Sequence, residues 1–198
     1  MKLDELARAS NGLDEARFVA RFTHPAIVFV TGTAPVEQPV KVDTPSGGTK
    51  IPPTTAFERT STYKATDQMP AASDLSDPTP MRDTLAASPV VFLQKSGRNP
   101  FESMITIGRA TNNDHCLPLP TVSKVHAYFS KTPRGDWCLT DQRATNGTFV
   151  DGQRLVAGST APLTDGSRIA FGPDVRARFY TAAGLFGFLA LYRSGIAV

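Results

Sequence analysis

Residues Thr145-Asn146-Gly147-Thr148-Phe149-Val150-Asp151-Gly152 place one short apolar strand between two strong turn dipeptides, Asn-Gly and Asp-Gly. Such dipeptides tolerate positive φ and so reverse the chain between antiparallel strands. Outward from this stretch the same rhythm recurs. Val90-Val91-Phe92-Leu93, Met104-Ile105-Thr106-Ile107, Ala127-Tyr128-Phe129 and Trp137-Cys138-Leu139 precede it. Arg168-Ile169-Ala170-Phe171 and Val175 to Tyr180 follow, with Asp165-Gly166 as a further turn. Short strands at about ten-residue intervals, with no helix-length segment between them, predict an all-β sandwich rather than a parallel α/β sheet.

Farther out the pattern changes. Leu13 to Phe22 carries acidic residues in its first turn and apolar groups at helical spacing, and His24-Pro25 ends it. Ala26-Ile27-Val28-Phe29-Val30 reads as a buried strand. Residues 1–32 are therefore expected to be a helical and strand element, too small for a core of its own and docked on the sandwich. Residues 33–88 are rich in Pro, Thr, Ser and Asp and predict a flexible loop or linker, because little apolar surface is available to offset ordering entropy. The expected sandwich domain fills residues 89–198 and closes on a helix, Ala182 to Tyr192. That apolar run is shorter than the ~20 residues needed to span a bilayer.

At 198 residues the chain is long enough for a substantial core. Its net charge of +3 is unevenly spread. From Pro89 onward there are 12 Lys/Arg and 7 Asp/Glu, against 9 and 11 before it, so the two parts carry +5 and −2. This bias suits an anionic ligand, but no dense basic stripe or aromatic ladder points to nucleic acid. Cys116 and Cys138 read as buried small hydrophobes in a reducing compartment. Met1-Lys2-Leu3-Asp4-Glu5 opens with no apolar signal core, which places the expected location in the cytoplasm.

Three polar motifs hang on the strands. Gly108-Arg109 ends one of them, and a guanidinium there can grip two phosphate oxygens as a fork. Ser123-Lys124 adds a hydroxyl and an ammonium; Thr145 adds another hydroxyl, and Asn146 carries both a carbonyl and an amide to pair with a peptide backbone. Gly147 supplies the positive φ of the turn. Taken singly, these read as a surface arginine, a polar loop and a plain hairpin. Ser123, His126 and Asp141 can be assembled on paper into a hydrolytic triad, but no Gly-x-Ser-x-Gly elbow is present. His115, Cys116, His126 and Cys138 lack metal-ligand spacing. His126 reads instead as a buried ring bracing the loop of Ser123.

In order and spacing, Gly108-Arg109, Asn113-Asp114, Val122-Ser123-Lys124-Val125-His126-Ala127, residues 145–152 and Leu163-x-Asp165-Gly166-x-x-Ile169-x-Phe171-Gly172 resemble the forkhead-associated (FHA) domain. The chain is similar to bacterial proteins with a single domain of this kind. The resemblance implies a β-sandwich of about eleven strands that binds phosphothreonine peptides through loops at one end. It assigns phosphate contacts to Arg109, Ser123, Lys124 and Thr145, a peptide-backbone contact to Asn146, and supporting roles to Gly108, His126 and Gly147. It implies no cofactor, and a pocket for the threonine methyl. Ala144 stands where the family often has serine, and Asp151 where asparagine is common. Asp151 is expected to lower affinity slightly if its charge lies near the phosphate.

The expected function is a non-catalytic phosphothreonine reader in Ser/Thr-kinase signalling, with a kinase or kinase substrate as partner. Thr54, Thr55, Thr60, Thr62, Thr66 and Thr79 make the chain's own linker another candidate ligand once phosphorylated. The alternatives are a phosphate-independent scaffold and, last, a hydrolase.

Overall fold

The computed structural model describes residues 1–31 and 85–195. The linker expected over 33–88, with all its candidate threonines, lies outside the described residues except at its last four positions. Eleven strands are present among the described residues, in two sheets, as the motifs imply.

Two short helices, α1 (Leu3–Ala9) and α2 (Glu15–Arg21), precede β1 (Ala26–Thr31). Asp14 caps α2 by accepting from the backbone N–H of Arg17 at 2.8 Å. After the undescribed segment come β2 (Val90–Phe92), β3 (Ile105–Gly108), β4 (His115–Cys116), β5 (Ala127–Lys131) and β6 (Trp137–Asp141). β7 (Thr148–Val150), β8 (Gln153–Arg154), β9 (Thr160–Pro162), β10 (Arg168–Phe171), β11 (Val175–Tyr180) and α3 (Ala182–Ser194) complete the chain. One sheet runs β2-β1-β11-β10-β7-β8 and the other β4-β3-β5-β6-β9. The pairings are antiparallel except β3 with β4, where Ile107 faces His115.

Alternation along the strands builds the core between the sheets. Ile27 and Phe29 of β1, Ile107 of β3, Phe129 of β5, Leu139 of β6, Ile169 and Phe171 of β10, and Phe179 of β11 point inward and are fully or almost fully buried. The opposite face of β1 carries Ala26 and Val28 into a second core. There Leu3 and Leu6 of α1, Phe18 of α2, and Leu185, Phe188 and Leu189 of α3 cover the outside of the sheet. This explains why β1 is apolar throughout: both of its faces are covered. β1 pairs with β11 from Ala26↔Tyr180 to Thr31↔Arg176 and with β2 from Ala26↔Phe92 to Val28↔Val90. Thr181 caps α3 by accepting from the N–H of Gly184 at 3.1 Å. No helix among the described residues is long and apolar enough to cross a membrane.

His115 is the unusual element of this interior. It is only 8% exposed, its Nε2 has no hydrogen-bond partner among the described residues, and burial pushes its pKa down to about 4. A folded-state pKa below the unfolded one means that the unfolded chain binds the extra proton first. This contribution is fully present above about pH 6.5 and is lost as pH falls toward 4. Unfolding free energy is therefore expected to drop by about 2 kcal/mol between pH 7 and pH 5 from His115 alone. Urea titrations at both pH values check this: His115→Leu should make the drop smaller by about that amount, leaving the part due to His126, whose pKa burial also lowers.

Candidate functional site

At one end of the sandwich, three loops are drawn together by hydrogen bonds that the sequence motifs encode. β3 ends at Gly108, and a Cβ at that position would lie 2.5 Å from the Lys124 carbonyl oxygen and 2.9 Å from the His126 nitrogen. Only glycine lets the 123–126 loop pass this close. The backbone N–H of Arg109 then donates to the Ser123 carbonyl at 2.8 Å, and that of Ala110 donates to the Lys124 carbonyl at 3.0 Å. Asn113 locks the same contact from the side, its Nδ2 donating to the carbonyls of Ala110 and Lys124, each at 2.7 Å.

His126 joins the second loop to the third. Its ring is fully buried, accepts at Nδ1 from the backbone N–H of Ser123 at 3.1 Å, and meets the Gly147 carbonyl through Nε2 at 3.1 Å. An accepting Nδ1 requires that Nε2 carry the proton, so the ring is neutral and donates to Gly147. Burial holds the His126 pKa below its ordinary value, although the Gly147 carbonyl and Asp141 pull the other way. Phe171 packs edge-on against the ring at 5.6 Å between centroids, which ties the loop to the core.

The hydroxyls meet across this junction. Ser123 Oγ accepts from the backbone N–H of Thr145 at 3.0 Å and lies 3.5 Å from Thr145 Oγ1. Thr145 and Lys124 are exposed, and Ser123 is partly so. Arg109 is exposed as well; its Nε donates to the Val122 carbonyl at 3.2 Å, which fixes the guanidinium beside the Ser123 loop. Asn146 donates through Nδ2 to the Thr121 carbonyl at 2.7 Å, and Thr121 Oγ1 donates to Asp174 Oδ2 at 2.6 Å. The structure thus gathers Arg109, Ser123, Lys124, Thr145 and Asn146 on neighbouring loops, with Gly108, His126 and Gly147 beneath them.

A buried carboxylate supports this end from behind. Asp114 accepts from Lys95 Nζ at 2.8 Å, Ser96 N at 2.8 Å, Ser96 Oγ at 2.9 Å, Asn99 Nδ2 at 3.0 Å, Thr106 N at 2.9 Å and Thr106 Oγ1 at 3.2 Å. Burial alone would raise its pKa, but Lys95, Asn99 and the backbone donors hold the carboxyl well below the ordinary carboxylate range. Its chain neighbour is Asn113, the side chain that clamps the Lys124 loop. Sequence reasoning quoted both residues but assigned a role to neither.

Two sequence readings meet their physical outcome here. The triad of Ser123, His126 and Asp141 is not assembled: Nδ1 and Nε2 of His126 engage backbone groups, and Asp141 instead accepts from Thr148 Oγ1 at 2.6 Å and Ala144 N at 3.2 Å. Asp151, with φ of 50°, lies past the far end of β7 and accepts from the backbone N–H of Arg168 at 2.8 Å. Three residues of strand, about 10 Å, separate it from Thr148. Its charge is directed to Arg168 on β10.

Over residues 105–172 the chain matches the FHA domain. Among curated relatives, the ABC transporter ATP-binding/permease protein Rv1747 of Mycobacterium tuberculosis is 41% identical over 68 residues, 34% of this chain and 7% of that protein. The E3 ubiquitin-protein ligase DMA1 of Saccharomyces cerevisiae is 37% identical over 59 residues, 28% of this chain and 14% of the relative. The chain therefore spans only a small part of either relative. Similar solved structures include Mycobacterium tuberculosis EmbR in complex with a low affinity phosphopeptide, 29% identical, covering 40% of this chain and 20% of that one with a TM-score of 0.37. The N-terminal FHA domain of Saccharomyces cerevisiae Rad53p in complex with a phosphothreonine peptide is 23% identical, covering 47% and 84% with a TM-score of 0.41. Residues 105–172 of this chain are an FHA domain, the forkhead-associated family that its five motifs resemble.

Proposed function

We propose that this end of the sandwich binds a phosphothreonine in an extended peptide and performs no chemistry on it. The observation that carries the reading is the contact of Ser123 with Thr145, flanked by the exposed cations Arg109 and Lys124. A phosphate at pH 7 carries about −1.5 to −2 charge and three acceptor oxygens. A guanidinium, an ammonium and two hydroxyls match both its charge and its acceptors. Asn146, held by Thr121, keeps its carbonyl oxygen and second amide N–H for the peptide backbone. No serine at this site has a base to activate it, since both ring nitrogens of His126 already engage backbone groups.

The partner on this reading is a protein phosphorylated on threonine by a Ser/Thr kinase, either the kinase itself or its substrate, and the chain acts as an adaptor between them. An array of phosphothreonine peptides beside their unphosphorylated copies tests it. At least tenfold tighter binding of the phosphorylated members is expected. Ser123→Ala should weaken that binding by about ten- to a hundredfold, the equivalent of one charge-assisted hydrogen bond. Equal binding of both sets would favour the phosphate-independent scaffold.

A further inference from the structure

Behind the Thr145-Asn146-Gly147 loop lies a groove of about 310 Å³ lined by Asp141, Ala144, Gly147, Arg154, Leu155 and Val156. Two features distinguish it from an ordinary surface dent. Val156 is 76% exposed, the most exposed large apolar side chain among the described residues. Arg154 lies against the backbone of Gly147, its Nε 2.5 Å from where a Cβ would stand. Glycine at 147 therefore also makes room for this guanidinium beside the binding loop. Arg154 forms no ion pair among the described residues. The carboxylate on the floor, Asp141, is 1% exposed, and its two oxygens take Thr148 Oγ1 and Ala144 N. With Asp141 buried, exposed Arg154 is the accessible charge among the lining residues.

We propose that this groove is a second subsite of the peptide-binding surface and takes an acidic side chain, preferentially glutamate, from the same phosphopeptide. The inference rests on the phosphothreonine reading above. Gly147, which lines the groove, follows Thr145 by two residues, so its Cα stands within about 7 Å of that of Thr145, the span of two extended residues. A glutamate at that spacing lays its aliphatic stem on Leu155 and Val156 and presents its carboxylate to Arg154 in a fork. The subsite thus distinguishes glutamate from its neutral isostere glutamine by charge and geometry together.

The test is a phosphothreonine peptide array on the full chain, in which each of the four positions on either side of the phosphothreonine is in turn Glu or Gln. The expected result is a Glu-over-Gln preference of about fivefold or more, confined to one position about two residues from the phosphothreonine. In Arg154→Gln that ratio falls to near one, while Arg134→Gln, at the exposed β5–β6 turn, leaves it intact. A melting curve for each variant establishes that it is folded. Equal Glu and Gln binding at every position overturns the subsite, as does a preference that survives in Arg154→Gln or falls equally in Arg134→Gln. Binding of no phosphopeptide at all instead overturns the reading on which the subsite rests, and is recognised by the failure of the phosphorylated and unphosphorylated copies alike.

Discussion

Arg109→Ala is expected to weaken phosphothreonine-peptide binding by at least a hundredfold while leaving the melting temperature within about 2 °C. The asymmetry follows from where the residue stands. Its backbone N–H holds the Ser123 loop, and alanine keeps that bond. Its side chain is exposed and donates from Nε to the Val122 carbonyl at 3.2 Å, so little folding energy depends on it. Binding is expected to depend on it heavily, because a forked pair of charge-assisted hydrogen bonds to the proposed phosphate contributes about 1.5–3 kcal/mol for each bond. Arg109→Lys should recover only part of the affinity, since an ammonium is a point charge without the planar fork. Calorimetric titration of a phosphothreonine peptide against both variants checks the order wild type, Lys, Ala. A loss below tenfold in Arg109→Ala would remove Arg109 from the site.

Asp114→Ala is expected to act in the opposite way, through the fold first. It removes the shared acceptor of Lys95, Asn99, Ser96 and Thr106 and the only carboxylate paired with the Lys95 ammonium, which keeps only the neutral acceptors Asn99 Oδ1 and the Met104 carbonyl among the described residues. Breaking a buried, hydrogen-bonded ion pair by removing one partner costs about 3–5 kcal/mol. For a domain of this size that corresponds to a fall in melting temperature of about 10–15 °C. Binding should also weaken in the protein that remains folded, because Asn113, which clamps the Lys124 loop, loses its neighbour's anchorage. The depressed pKa of Asp114 gives the same interaction a pH signature. Its contribution is complete above the ordinary carboxylate range and is lost only as pH falls below it. Urea unfolding of wild type and Asp114→Ala at pH 7 and pH 3 checks both statements. A destabilisation under 1 kcal/mol at pH 7 would show that the network is not what holds this end together.

The architecture was legible where the strands are apolar and long enough to alternate. β5, β6, β7, β10 and β11 bury alternate or continuous residues against the core, and each has a period or run that shows this in one dimension. β4, β8 and β9 carry no such signal. β8 is the exposed pair Gln153-Arg154, formed because the Asp151-Gly152 turn folds it back on β7, and β9 has two of its three residues exposed. They are strands by pairing rather than by composition. The grouping of the candidate residues on neighbouring loops was legible because they sit in motifs of fixed spacing; the scaffold behind them was harder to see. Nothing local marks Asn113 as a clamp on the Lys124 carbonyl 11 residues away, or Thr121 as the anchor of Asn146, since both roles depend on loop approach in three dimensions. Asp151 shows the reverse case. In one dimension it sits next to the binding loop, but the strand between them carries it to Arg168.

Recognition of phosphate on threonine by one set of loops, as proposed, is tested residue by residue by the amide shifts of isotopically labelled protein. A phosphothreonine peptide chosen from the array, added to the full chain, should shift the backbone amides of Arg109, Ser123, Lys124, Thr145 and Asn146 first and furthest. Its unphosphorylated copy at the same concentration should leave them in place. Shifts of equal size from both copies, or shifts confined to residues outside these loops, would contradict the account.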